Sequence, residues 1–330
     1  MMVKRQILIF FLVLLSAGLG GEYGDAFIQS AIFPRAQALG HSTVAYSGPS
    51  GIALTNPAVY ASYQRQTINL AYDQFNGLSN AFVVEAYSPL GDSYHMGLTI
   101  LHSSVDDLYF RPDLSYLDPV SRRDSVLELA QGSGDIIKYR EDAVFLSLAR
   151  EFSHEVNLGW KFFKIPLRIP IGASVKYLDK LLVDNRGLGI GFDLGGQIIF
   201  SLAGMNSALE QTEFSVGYVL HDILNTPVYW ETDHQDAIKR GRVRGVSIKQ
   251  SFPKYSLDAI LSTSVQDRFP NVRQWGLEIG YRELAYLRFG SDGYKPSFGL
   301  GIGLKKFIID YSFSQHELAG MQKIGINYHF

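Results

Sequence analysis

Apolar side chains recur at every second position along most of this chain. The last thirty-five residues, 296–330, show the pattern most plainly. Phe298, Leu300, Ile302 and Leu304 alternate with Gly299, Gly301 and Gly303. Phe307, Ile309, Tyr311 and Phe313 alternate with Ile308, Asp310 and Ser312. Ile324, Ile326, Tyr328 and Phe330 alternate with Lys323, Gly325, Asn327 and His329. A period of two gives each set its own face of a β-strand, one greasy and aromatic, the other small or polar. The same alternation upstream predicts fourteen strands in all, over 66–74, 80–88, 93–103, 138–150, 168–180, 186–200, 212–221, 240–252, 254–264, 272–282, 284–290, 296–305, 307–314 and 320–330. A weaker fifteenth stretch, Val156 to Phe162, is set aside because single-chain bacterial barrels have even strand numbers. That assigns 151–167 to a long turn, interfacial through Trp160, Phe162 and Phe163.

Charges decide which face is which. Lys176, Asp193, Asp258, Glu278, Arg288, Asp310 and Lys323 all fall opposite the apolar face. A Lys or Arg turned to hydrocarbon at mid-depth costs about 2–4 kcal/mol, so these residues belong in a lumen and the apolar face belongs in lipid. The reading is an all-β transmembrane protein: an antiparallel, up-and-down outer-membrane β-barrel of about fourteen strands. Only 240–252 fits poorly, because Arg240, Arg242 and Arg244 share a face with Val246 and Ile248; its start is expected above the bilayer. The expected turns at 253, 282–283 and 305–306 are short and periplasmic, whereas 104–137, 222–239, 265–271, 291–295 and 315–319 form longer outer loops. The periplasmic connections 151–167 and 201–211 are exceptions.

The segment before the strands reads differently. Residues 33–40 form a helical turn ended by Gly40, and Asn56-Pro57-Ala58 has an N-cap residue ahead of a proline in the first helical position. Such an apolar, broken stretch needs a cavity, and a barrel lumen supplies one. Lys4 and Arg5, the apolar run Ile7 to Leu15 and the small residues Ser16, Ala17, Gly18 and Gly20 make a secretory signal that is too short to span a bilayer. The expected organisation is therefore signal peptide 1–20, N-terminal plug 21–64 and barrel 65–330, located in a Gram-negative-type outer membrane.

Composition narrows the chemistry. The absence of cysteine excludes a lipoprotein anchor, disulfides and thiolate metal sites, and the net charge of -2 implies no attraction to nucleic acid. The 21 Phe and 19 Tyr suit aromatic girdles. The Gly-rich runs 187–196 and 299–303 open no helix, so they are read as lumen-facing wall rather than nucleotide loops. The acids of 104–137 (Asp106, Asp107, Asp113, Asp118, Asp124, Glu128) lack calcium-loop spacing, and His234 with Asp233 and Asp236 reads as exposed loop. A hydrolase pairing of Ser312 with His329 is a remote contrast. No catalytic residue, cofactor or metal is expected.

Residues 25–64 and 168–330 resemble the PorV/PorQ family of outer-membrane proteins, which share the FadL-type barrel. The resemblance rests on Ala36-Gln37-Ala38-Leu39-Gly40, then Asn56-Pro57-Ala58. Further along it rests on Val175-Lys176-Tyr177, Gly191-Phe192-Asp193-Leu194-Gly195, Leu287-Arg288-Phe289-Gly290, Ser297-Phe298-Gly299-Leu300-Gly301, Asp310-Tyr311-Ser312-Phe313 and the terminal Phe330. Where the family carries acidic residues between its two plug motifs, this chain has Ser47-Gly48-Pro49-Ser50. The resemblance implies a fourteen-stranded barrel with an N-terminal hatch. It implies a non-enzymatic role in type IX-like protein secretion, with secretion subunits or secreted cargo as partners, or passive transport of hydrophobic compounds such as fatty acids and hydrocarbons. It does not choose between them. The residues expected to matter are Leu39, Gly40, Asn56, Pro57 and Ala58 in gating, and Phe27, Ile32, Phe33 and Leu54 against an apolar ligand. Ile324, Ile326, Tyr328 and Phe330 are expected to serve the barrel-assembly machinery, and the outer belt to meet outer-membrane lipid.

Overall fold

The computed structural model describes residues 24–330 apart from 31, 47–50, 52, 64, 76–78, 92, 111, 130–135, 158, 160–163, 202–209 and 316–319. The strands are β1 (Thr67–Phe75), β2 (Ser79–Leu90), β3 (Tyr94–Tyr109), β4 (Ile136–Asn157), β5 (Lys164–Leu182), β6 (Asn185–Ser201), β7 (Thr212–His221), β8 (Thr226–Trp230), β9 (Gln235–Ile238), β10 (Gly241–Phe252), β11 (Leu257–Gln266), β12 (Phe269–Tyr281), β13 (Ala285–Ser291), β14 (Pro296–Leu304), β15 (Phe307–Gln315) and β16 (Gly320–His329). Among the described residues β8 and β9 form a hairpin appended to β6, and the other fourteen strands pair antiparallel in a ring. The ring closes where β1 meets β16, with Ile68 opposite Tyr328 and Tyr72 opposite Ile324. Phe330 completes the seam by donating its backbone N–H to Gln66 at 3.1 Å. The fold is a closed, fourteen-stranded antiparallel outer-membrane β-barrel with a plug inside it.

Burial along the strands of the ring inverts the order of a water-soluble protein. On β1 the outward Ile68, Leu70 and Tyr72 are exposed, while the inward Asn69, Ala71 and Asp73 are buried. Large apolar residues cover the outside and polar ones crowd the inside, the reverse of the usual partition. Aromatic residues gather at the periplasmic ends, where Tyr328 packs between Phe307 and Phe330, tilted on one and edge-on to the other, with ring centroids 4.8 Å from each. Arg242 and Arg244 sit on the outward face at the outer end of β10, as the pattern requires.

The connections differ from expectation in two places. The stretch 151–167 is mostly not a turn: β4 runs to Asn157 and β5 starts at Lys164, with Phe152 opposite Ile169 and Asn157 opposite Lys164. Beyond the bilayer water wets both faces, so ladder pairing persists after the alternation has faded. The ion pair Glu155–Lys164, at 2.8 Å, belongs to that wetted extension. Val156 ends inside β4, and Trp160, Phe162 and Phe163 lie outside the described residues. The contrast of long outer and short inner connections is also incomplete. β5 turns into β6 through 183–184 alone, and β11 into β12 through 267–268 alone, although both turns are at the outer end.

Candidate functional site

The described part of 24–63 lies inside the ring and contains no strand. It comprises α1 (Ala26–Ser30), α2 (Pro34–Ala38) and a 3-10 turn (Pro57–Ser62). α2 starts on a proline, whose fixed φ suits a first turn, and ends where Gly40 and His41 both adopt the left-handed conformation. Asn56 caps the 3-10 turn: its Oδ1 accepts the Ala58 N–H at 3.0 Å and its Nδ2 donates to the Val44 carbonyl at 2.7 Å. The predicted N-cap is therefore present on a tighter helix, and its amide also ties two stretches of plug together.

The wall meets the plug through glycine. Gly97, Gly172, Gly195, Gly217, Gly245, Gly276, Gly290 and Gly299 lie on eight different strands, and a Cβ at any of them would come under 3.0 Å from plug atoms or the plug-facing wall. At Gly172 the neighbour is the Pro57 backbone, at Gly276 Leu39, and at Gly290 Leu39 and Gly40. The residues expected to gate, Leu39, Gly40, Asn56, Pro57 and Ala58, are thus the ones that seat the plug against these glycines.

Charged side chains then fasten it. Arg35 of α2 donates from Nη2 to Glu278 Oε1 at 2.6 Å and from Nε to Oε2 at 2.9 Å. Tyr46 donates to the same carboxylate at 2.5 Å and accepts from Arg35 at 2.7 Å. Arg288 reaches Glu278 at 2.6 Å and Asp310 at 2.5 Å, and Asn327 reaches Asp310 at 2.7 Å. Burial opposes the charge on Arg35, but Glu278 and Tyr46 outweigh it and hold the guanidinium well above its ordinary pKa. Burial also pushes the Tyr46 phenol up, which keeps it a donor. A second fastening joins Tyr60 to Glu85 and Thr99, each at 3.1 Å. Near the outer end Arg268 clasps Asp25, and Lys180 reaches the Gly24 carbonyl at 2.5 Å.

Of the seven strand charges expected in the lumen, six are buried there. Lys176 bridges Asp193 at 3.0 Å and Asp222 at 2.8 Å, Lys323 pairs with Asp73 at 3.1 Å, and Glu278, Arg288 and Asp310 form the chain just described. Asp258 shares the inward parity of β11 but stands exposed at the periplasmic rim, bonded by Ser251. Two of the four expected ligand-contact residues, Ile32 and Leu54, line a pocket of about 90 Å³ on the outer side of the plug. Phe27 and Phe33 instead belong to the packed core, Phe27 beneath the Lys180 ammonium at 4.9 Å. The pocket also includes Ile28, Val44, Phe145 and Val243, with Lys176, Asp193, His221 and Asp222 on its polar side. The plug residues among these follow no strand or helix period, so alternation could not single them out. A larger vestibule of about 400 Å³ adjoins the pocket through the shared Gln29, Ile32 and His41 and is lined in part by Tyr294 and Lys323.

The hairpin β8–β9 was not foreseen. It folds against the outer half of β6, where Gly187 and Gly189 make room for Trp230 and Val228, and buries Thr226, Val228 and Ile238. His329 bonds Thr67 at 3.0 Å and Ser312 donates to Gln37 at 2.6 Å, so these two do not pair. Asp118 caps the outer-loop helix α3 (Pro119–Glu128), and His234 contacts Asp236 at 3.1 Å. The acidic plug positions replaced by 47–50 and the signal segment lie outside the described residues.

Fold and interior together define a plugged outer-membrane β-barrel. No protein-family model matches the chain, and no curated protein matches it. Solved structures similar in overall form include the toluene transporter TodX of Pseudomonas putida. It is 11% identical over 90% of this chain and 96% of that one, with TM-score 0.39. A FadL homologue of Pseudomonas aeruginosa is 11% identical over 91% and 98%, with TM-score 0.41. The KdgM porin is 7% identical over 80% and 99%, with TM-score 0.33.

Proposed function

We propose that this chain is a gated channel that admits small, largely apolar solutes across the outer membrane, with the plug as the gate. The observation that carries the reading is the position of the half-apolar pocket. It lies on the outer face of the plug, beside a vestibule with which it shares Gln29, Ile32 and His41, and four plug side chains, Ile28, Ile32, Val44 and Leu54, line it. A solute held there is in contact with the element that blocks its path, so any preference for the shifted plug is paid from its own binding. The described plug residues are packed against the wall rather than lining a water-filled pore, and the pocket, at about 90 Å³, is too small for a sugar chain. Of the motifs that resemble PorV/PorQ, the two plug motifs and Gly195, Gly290 and Gly299 of the wall meet in seating the plug.

The test exploits a chain without cysteine. Ser42 of the plug and Ser262 of the wall face each other with hydroxyl oxygens 2.8 Å apart. The double variant Ser42→Cys/Ser262→Cys, oxidised to the disulfide, should lose uptake of a radiolabelled aromatic hydrocarbon into cells or liposomes. Reduction should restore it. Equal uptake in both redox states would remove the plug from the route and the reading with it.

A further inference from the structure

The lumen has a further cavity on the other side of the plug. It opens to the periplasm, has a volume of about 570 Å³, and is floored by Ser62, Tyr63, Thr67 and Tyr286. Five cationic side chains line it against two carboxylates. One cation is neutralised: Arg168 bonds Glu213 at 2.5 Å and approaches Glu151 at 3.5 Å. Glu213 stands opposite Lys249 in the β7–β10 register but is already engaged by Arg168. Arg65, Lys249 and Lys305 form no ion pair among the described residues, and Arg282 lies over the Tyr281 ring at 5.1 Å. Glu283 is the remaining carboxylate. The outer vestibule has no such excess, since its Lys323 is matched by Asp73 and its Lys295 faces a lining that includes Asp292.

Like charges around a concave, low-dielectric mouth reinforce one another and concentrate anions. The four cations come from four separate places: ahead of β1, within β10, and in the β12–β13 and β14–β15 turns. No single small anion touches all of them, whereas a chain with several carboxylates does. The cavity is inside the ring, so the wall separates it from the headgroups of the surrounding leaflet. We propose that the periplasmic mouth is a docking site for an acidic, extended segment of a periplasmic protein, held chiefly by Arg65, Lys249 and Lys305. This inference does not depend on the channel reading, because binding is measured without transport.

The experiment uses the full chain in nanodiscs of zwitterionic lipid and hexaglutamate carrying a neutral dye, followed by fluorescence anisotropy. Saturable binding is expected, weakening steeply as salt is raised. Lys249→Gln/Lys305→Gln should reduce affinity at least tenfold, and Arg65→Gln alone by a smaller factor. Arg123→Gln, on the outer-loop helix, should leave it unchanged. All are surface or rim positions, and retention of the heat-modifiable folded band on gels checks the barrel. Hexaglutamine binding as tightly as hexaglutamate, or rim variants binding like the parent, would overturn the proposal. So would displacement by phosphate at the concentration of the peptide, which would indicate a small-anion site. Loss of binding on adding anionic lipid would also overturn it, in favour of a headgroup site.

Discussion

The two faces of β14 obey opposite rules. Outward, Phe298, Leu300, Ile302 and Leu304 are exposed to the bilayer, Leu300 at 44% of its surface; inward, Ser297, Gly299, Gly301 and Gly303 are buried. The outward face selects for polarity and is indifferent to shape, because lipid chains conform to whatever they meet. The inward face selects for size and for charge partners. A Cβ at Gly299 would come within 2.5 Å of Ala38, and one at Gly301 within 2.6 Å of Asp310, which is bonded to Arg288. Lumen specificity therefore resides in fixed neighbours, and belt specificity in a solvent.

The largest expected break lies on the inward face. Glu278 is the common acceptor for Arg35, Arg288 and Tyr46. Glu278→Leu leaves the Arg35 and Arg288 guanidinium groups close together with one carboxylate, Asp310, which is bonded to Arg288. Removing one partner of a buried ion pair costs about 3–5 kcal/mol. The loss should appear as a lower denaturant midpoint of the refolded barrel and as new protease cutting within the plug. A midpoint unchanged within error would show that the fastening contributes nothing to docking.

The next effect tests the outward face one residue along from the lumen glycines. Leu300 lies near the middle of β14, between Leu287 and Tyr311 on its neighbours. Leu300→Lys is expected to destabilise the barrel in lipid vesicles by about 2–4 kcal/mol, whereas Leu300→Phe should be close to neutral. Plug protease resistance should not change in either variant. If Lys were tolerated at this position, the belt would not be in hydrocarbon and the assignment of faces would fail.

These two faces also explain what could be read from sequence. The strands were legible because lipid imposes one rule on every outward position, so the period of two persists from Ile68 to Phe330. Charges such as Lys176 and Asp310 then fixed the faces without any knowledge of their partners. Outside the bilayer that rule lapses, so the extensions of β4 and β5 past Phe152 and the inward-folded hairpin β8–β9 left no periodic trace. The interior was legible only by residue type. Arg35 and Glu278 are 243 positions apart, and no local pattern joins them. The backbone carbonyls of Val44-Ala45-Tyr46 accept two bonds from Gln197 on β6 and one from Ser247 on β10, and the Tyr46 hydroxyl reaches Glu278 on β12, yet the stretch itself is aperiodic.

The smallest expected effect concerns His41 and is absent at neutral pH. His41 follows Gly40 with φ 62 at the end of α2, and borders the pocket and vestibule on the outer side of the plug. Burial, aided by the Lys323 ammonium and opposed by Asp292, lowers its pKa to about 4. Well above pH 6.5, by about pH 7.5, the imidazole is almost wholly neutral whether the plug is docked or unfolded, and contributes no pH dependence. As pH falls from there towards 4, the unfolded state takes up a proton that the docked state refuses. Docking therefore weakens through that window and ceases to weaken below it. His41→Asn keeps a residue that tolerates the left-handed backbone and deletes the titration. Carboxylates titrate at low pH in both proteins, so the comparison isolates the imidazole. Protease cutting of the plug should rise between pH 6.5 and 4.5 more steeply in the parent than in the variant, with equal rates at pH 7.5. Parallel profiles would mean that His41 is protonated in the docked plug and that burial and the Lys323 charge do not hold it neutral.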